Sequence, residues 1–234
     1  MNILILYNIL LFYCFYVDTD VPEKATNKNV TSLLPNAQQI GWISGALAGL
    51  MSETGTIAFI GGMELTTTVE KYKGYVEAAK YVAEKEGKSI NVLDAVYANS
   101  FDDSSKGIEF ANAMMEQKAD VFFGDASAVD SGARQAIDEH NSAKGKVEVY
   151  DIGQPADILG QNECVIGSQI TDNSSLIELS FKAVEEGKFG GEVLYGDLQN
   201  GVLSVGKLSD LVPAEKQSLY NEYIEQMKAD KFMK

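Results

Sequence analysis

Histidine occurs once in this chain, at His140, and cysteine twice, at Cys14 and Cys164. The two thiols are far apart and in no metal-ligand spacing, which excludes a structural zinc site and leaves them to be read as buried free thiols. A histidine-based triad would have to use His140, which lies in the polar stretch IDEHNSAKGK. Basic residues are also short: 19 Lys and Arg stand against 34 Asp and Glu, a formal net charge of −15. Such a field repels a phosphate backbone, so nucleic acid is set aside as a partner, and the acidity reads as a well-solvated surface.

Phosphate-cradling loops are missing too. A dinucleotide fingerprint needs G-x-G-x-x-G after a strand, and GGMELTTT lacks it. The stretch VAEKEGKS ends in Gly87-Lys88-Ser89 as a Walker A loop should, but Val82 stands where its first glycine is required. There is no G-x-S-x-G elbow, and neither cysteine has a base nearby in sequence. The pair Asp102-Asp103 fits a loop before a helix N-terminus, where negative charge is favoured, with acid–base catalysis as the alternative. The one long apolar run, MNILILYNILLFYCFY, lacks a basic leader and a small-residue cleavage site and is short for a bilayer span. Signal peptide, core strand and artificial start stay open for it; the expectation is a start inside a domain.

What is present is alternation. With 234 residues, 45% of them hydrophobic, the chain can bury the core of one large domain or of two small lobes. TIAFIGG reads as a strand, and Thr67 and Glu70 have the spacing of a capping box for the helix that follows. Val69, Tyr72, Val76, Ala79 and Val82 form its apolar face, and Gly87 closes it. INVLDAVYA is a second strand; the helix SSKGIEFANAMMEQK turns Ile108, Ala111 and Met115 inward. ADVFFGD, the helix SAVDSGARQAIDEHNSA and the strand KVEVYDIG complete a βαβαβαβ order. That order predicts an α/β fold, a parallel sheet with helices on both faces and right-handed crossovers. Beyond residue 160 come the strand ECVIGSQI, a helix stopped by glycine, an apparent hairpin centred on Asn200-Gly201, and a last amphipathic helix opened by Pro213.

Ligands bind outside the carboxyl ends of strands in open α/β sheets. The loops there are GGMEL, NSFDDSS, GDASAVDSG and DIGQPAD. They offer Asp, Asn, Ser and Gln for hydroxyl groups, and Phe101 and Phe123 for a flat face. Met63 and Glu64 are expected at the rim, with a plain strand–helix turn as the alternative; Asp125 lies in the third loop; Phe123 reads equally as core.

The stretches GWISGALAGLMSETGTIAFIGGMEL, NSFDDSSKGIEFANAMM, ADVFFGDASAVDSG and VIGSQITDN, in this order, resemble the basic membrane protein group of ABC-transporter substrate-binding lipoproteins, the purine-nucleoside-receptor-like family. The resemblance runs from about residue 17 to the C-terminus. It implies a two-lobe type I periplasmic-binding-protein architecture with parallel sheets flanked by helices, three crossover strands and a ligand held between the lobes by hinge closure. It also implies extracytoplasmic, membrane-associated localisation, a nucleoside-like ligand, an ABC permease as partner, no cofactor, no metal and no catalysis. By resemblance Phe123 stacks on the base, Ala128 lies in a glycine-rich segment beside the ligand, Asp18 is an acidic first-lobe position, and Asp157 or Gln154 holds ribose hydroxyls. The family's AGGTG reads Ala126-Ser127-Ala128-Val129-Asp130 here, and its lysine after the last hinge strand appears as Thr171.

The expected organisation is a remnant of the first lobe at 1–41, the second lobe at 42–157, and at 158–234 a hinge strand, a return helix, a hairpin and a C-terminal helix. The first lobe is expected to be incomplete, because the opening βαβα units of a full-length member have no counterpart here. Two other readings stand beside the solute-binding one: a ligand-sensing domain of the same fold, and an enzyme acting on a sugar or nucleoside through the acidic loops.

Overall fold

A computed structural model describes residues 14–17, 30–191 and 193–229. The chain divides into two compact units and passes between them after Asn36, Thr171 and Leu203.

The first unit holds strands β1 (Cys14–Val17) and β2 (Val30–Pro35). Its sheet has the order β1-β2-β9, with β9 (Val193–Gly196) joined in parallel to β2. Between β2 and β9 in sequence the unit contributes one helix of its own, Asn173–Glu185, which packs on both strands. Asp172 caps that helix, its carboxylate accepting from the Ser174 and Ser175 amides. Leu33, Leu176, Leu198 and Val202 form its buried core.

The second unit opens with helix α1 (Ala37–Met51) and continues β3 (Thr56–Gly61), α2 (Thr66–Lys85), β4 (Asn91–Val92), β5 (Val96–Tyr97), α3 (Ser104–Glu116), β6 (Val121–Asp125), α4 (Ala128–Lys144), β7 (Tyr150–Gly153) and β8 (Val165–Thr171). The helix Asn173–Glu185 is then α5, and β10 (Leu203–Val205) and α6 (Ala214–Lys228) complete the chain. Seven strands form the larger sheet, in the order β10-β8-β7-β6-β3-β4 with β5 also on β3. Strands β3 to β8 pair in parallel, as the alternation of strand and helix predicts.

Successive side chains of a strand point to opposite faces, and here both faces are covered. Phe59 and Phe123 face α2, where their rings meet Tyr75 at 6.2 and 5.6 Å. Ala58, Ile60 and Phe122 face the other way, into a core with Ala111 and Met114 of α3 and Val129 and Ala133 of α4. Each large side chain buried this way contributes about 1.5–3 kcal/mol before the loss of conformational entropy is set against it.

Four expectations need correction. The second strand is split into β4 and β5: Ile57 and Ile60 of β3 pair with Val92 and Val96, so one extra residue bulges out between them. No capping box forms, since α2 already starts at Thr66; Leu65 is its N-cap without a side-chain bond, and Glu70 pairs with Lys73 at 2.7 Å. The α2 face is rotated in its first half: Ala79 and Val82 are buried as expected, but Thr68, Lys71, Gly74, Tyr75 and Ala78 are buried with them while Val69, Tyr72 and Val76 are half-buried. The hairpin is absent: a turn does form, with Asp197 and Asn200 exchanging backbone-to-side-chain bonds, but β9 and β10 leave it for different sheets.

Candidate functional site

The carboxyl edge of the larger sheet is assembled by backbone bonds between its loops. The Gly62 amide donates to the Asp125 carbonyl at 2.9 Å, tying the loop after β3 to the end of β6. The Ala128 amide donates to the Phe101 carbonyl at 2.9 Å, tying the start of α4 to the loop after β5. Gly62 makes room for the Phe101 ring, since a Cβ there would overlap two of its ring carbons. Phe101 stands on this edge with 37% of its surface exposed, and Leu65, the N-cap of α2, is 38% exposed.

Polar groups lie beside this apolar rim. Asp125 ends β6, and its carboxylate accepts from Thr68 Oγ1 at 2.8 Å, Lys71 Nζ at 2.9 Å and Gln154 Nε2 at 3.0 Å. Gln154 also donates to the Gly124 carbonyl at 2.5 Å. Ser127 follows with φ 57° and ψ −113°, a left-handed backbone costly for any residue but glycine, and its side chain makes no cap bond to α4.

Behind this edge, Asp130 accepts from the Ala126 amide at 2.8 Å and Arg134 pairs with Asp151 at 3.3 Å. Burial raises the Asp130 carboxyl to about 7, against the opposing Ala126 hydrogen bond and with help from the charge of Asp151. Burial likewise raises Asp151 to about 6, against the pull of Arg134.

The sequence-derived candidates divide accordingly. Met63, Glu64, Phe101, Asp125, Ala128 and Gln154 are all at the carboxyl edge of the sheet, with Glu64 exposed and Met63 half-buried. Phe123 is fully buried in the ring cluster with Phe59 and Tyr75. Asp157 is exposed and each of its carboxylate oxygens accepts one backbone amide, from Leu159 at 3.1 Å and from Lys207 at 3.3 Å. Asp18 lies outside the described residues. Thr68 and Lys71 escape a sequence reading that seeks only apolar faces; their signal is a threonine and a lysine three apart on a helix turned toward β6.

Among the described residues no group of three or more His, Cys, Asp or Glu is placed to hold a metal ion. His140 is at the other end of the sheet, 3.3 Å from Glu148, lining a cavity of about 480 Å³ with Tyr150, the first residue of β7. Cys164 is buried, and burial pushes its thiol far above the usual range, which makes it inert.

A family model described as ABC transporter substrate-binding protein PnrA-like matches residues 13–232. Basic membrane protein A2 of Borrelia garinii is 27% identical over 202 residues, covering 85% of this chain and 57% of that protein. Transcriptional activator protein med of Bacillus subtilis is 26% identical over 196 residues, covering 83% and 57%. The chain thus spans about half the length of the curated relatives it matches. A crystal structure of an ABC transporter solute-binding protein from Aeropyrum pernix superposes with a TM-score of 0.75 at 18% identity, over 94% of this chain and 69% of that one, which shows the fold as type I periplasmic-binding-like. A transcriptional activator of the comK gene from Bacillus halodurans gives 0.71 at 25% identity, over 92% and 70%. With the family model spanning nearly the whole chain, this protein belongs to the Bmp family, the PnrA-like substrate-binding proteins of ABC transporters.

Proposed function

We propose that the chain serves as a solute-binding component of an ABC importer outside the cytoplasmic membrane, taking a small hydroxylated ligand with a flat face, a purine nucleoside first among them. The observation that carries this reading is Phe101, an aromatic ring held open on the rim beside a polar set of Asp125, Gln154 and Thr68. A stacked base and gripped hydroxyls are what that combination suits. Phe101, and not the buried Phe123, is the ring in position to stack. The partner would be a membrane permease that receives the solute.

A ligand that binds only the folded chain raises its melting temperature by mass action. A thermal-shift series with purine nucleosides, pyrimidine nucleosides and simple sugars is expected to respond to the first class, by several degrees at a hundredfold excess over Kd. Response to sugars alone moves the assignment to a carbohydrate solute. Silence throughout sinks the solute reading for this chain.

A second reading has its own support. Two of the similar proteins are named as transcriptional activators, so the same edge could serve a ligand-sensing domain. Ligand-dependent capture of the cognate permease in membranes separates import from sensing.

A further inference from the structure

Lysine is rarely buried unless paired, because its ammonium loses hydration that only a good partner replaces. Lys71 is 8% exposed, on a face of α2 that otherwise carries Thr68, Gly74, Tyr75 and Ala78. It reaches the carboxyl edge, where its Nζ lies 2.9 Å from Asp125 Oδ1 and 3.5 Å from Gln154 Oε1. Asp125 keeps 20% of its side-chain surface open.

The donors and acceptors can be counted. Asp125 Oδ1 takes two hydrogens, from Lys71 and Gln154, and Oδ2 takes one, from Thr68. Both hydrogens of the Gln154 amide are spent, on Asp125 and on the Gly124 carbonyl. A ligand would find a lone pair on Asp125 Oδ2, a lone pair on Gln154 Oε1 and one ammonium hydrogen. That remainder suits a hydroxyl, which donates once and accepts once. The pair itself is electrically neutral, so an anion placed here meets Asp125 and a cation meets Lys71.

We propose that Lys71 is a positioning and selectivity residue of the ligand site: its buried ion pair fixes Asp125 and Gln154 and keeps the edge neutral, so that the site takes uncharged hydroxyl-bearing ligands and rejects their phosphorylated forms. This rests on the solute-binding reading and sharpens it. Specificity of this kind comes as much from the rejected partner as from the accepted one.

The charged groups around Asp125 are Lys71 from α2, Asp130 from α4 and, beyond it, Arg134 of α4 with Asp151 of β7. Removing the Lys71 ammonium leaves a half-buried carboxylate without its partner. The melting temperature of the full chain is therefore compared, without ligand, for the wild type, Lys71→Met, Lys71→Arg, Asp125→Asn and Lys71→Met/Asp125→Asn. The loss from Lys71→Met is expected to be larger beside Asp125 than in the Asp125→Asn background, and to be small in Lys71→Arg, which keeps the charge. A loss equal in both backgrounds overturns the ion-pair role.

Calorimetry with adenosine and adenosine 5′-monophosphate at pH 7.5 tests selectivity. The wild type is expected to favour adenosine, Lys71→Met to bind it about tenfold more weakly, and Asp125→Asn to narrow the gap between the two ligands about tenfold, the change one unit of charge-linked free energy brings. A gap unchanged by Asp125→Asn overturns selectivity. Should the wild type bind neither ligand, the nucleoside reading and the selectivity claim fall together, while the melting comparison still decides the ion pair.

Discussion

Phe101 and Phe123 are both phenylalanines near the carboxyl edge, and the structure gives them opposite environments. Phe123 alternates inward along β6 and meets Phe59 and Tyr75, so removing its ring empties a packed volume. Phe123→Ala is expected to cost about 3–5 kcal/mol of stability, read from urea unfolding. Phe101 lies over Gly62 and is 37% exposed, so Phe101→Ala should cost under about 1 kcal/mol while abolishing the nucleoside-induced melting shift. A Phe123→Ala chain of near wild-type stability would contradict the core placement. The sequence could not place Phe123, because strand parity decides which of Phe122 and Phe123 faces α2, and a two-residue aromatic run reads the same from either side. Nor could it foresee the partners of Asp157, since the backbone amides that bind it come from residues 2 and 50 positions away.

The elements of the second unit were legible from periodicity and stop signals. Gly87 shows this: it takes φ 67°, and Lys88 and Gly87 donate back to the Ala83 and Glu84 carbonyls as the helix ends. Helix α1 was not read as an element, for an equally physical reason. It is buried on every side, so it has no polar face to produce a 3.6-residue pattern. Its signal is a different one, glycine every four residues at Gly41, Gly45 and Gly49. That row lies against the α2 backbone, where a Cβ on Gly45 would strike the Tyr75 carbonyl and one on Gly49 would come within 2.8 Å of the Ala79 oxygen. The same packing explains why α2 buries Gly74 and Tyr75 in place of Val69 and Val76. Gly45→Ala adds a single methyl yet must push two backbones apart, so a loss of about 1–3 kcal/mol is expected. Alanine is the better helix former by about 1 kcal/mol, and a variant that gained stability from it would show that α1 and α2 do not pack this closely.

At the scale of the whole molecule the parallel topology followed from the order of strands and helices, and the family from four motifs in sequence; the buried charges followed from neither. Asp130 and Asp151 sit at positions fixed only by tertiary packing, and burial raises them to about 7 and about 6. A carboxyl whose folded value lies above its unfolded one contributes stability that is complete below the unfolded value and is lost as pH rises through the folded value. The exposed carboxylates held low by hydrogen bonds or lysines, such as Asp172 and Glu186, act only in more acid solution and are screened. Between pH 5 and pH 8 the melting temperature should therefore fall. The net charge of −15 pushes in the same direction, because self-repulsion grows as the last groups ionise. Salt separates the two causes: at 1 M the screening length drops to about 3 Å, which removes most surface repulsion but leaves buried carboxylates as they were. The expected result is a slope that shrinks in salt and persists in part. Asp130→Asn should remove most of what persists, since the amide oxygen can still accept from Ala126 while carrying no proton to lose. Each kcal/mol recovered at pH 8 would appear as about 2–4 °C in a chain of this size. If the high-salt slope is the same in wild type and Asp130→Asn, the buried carboxyl is not its source.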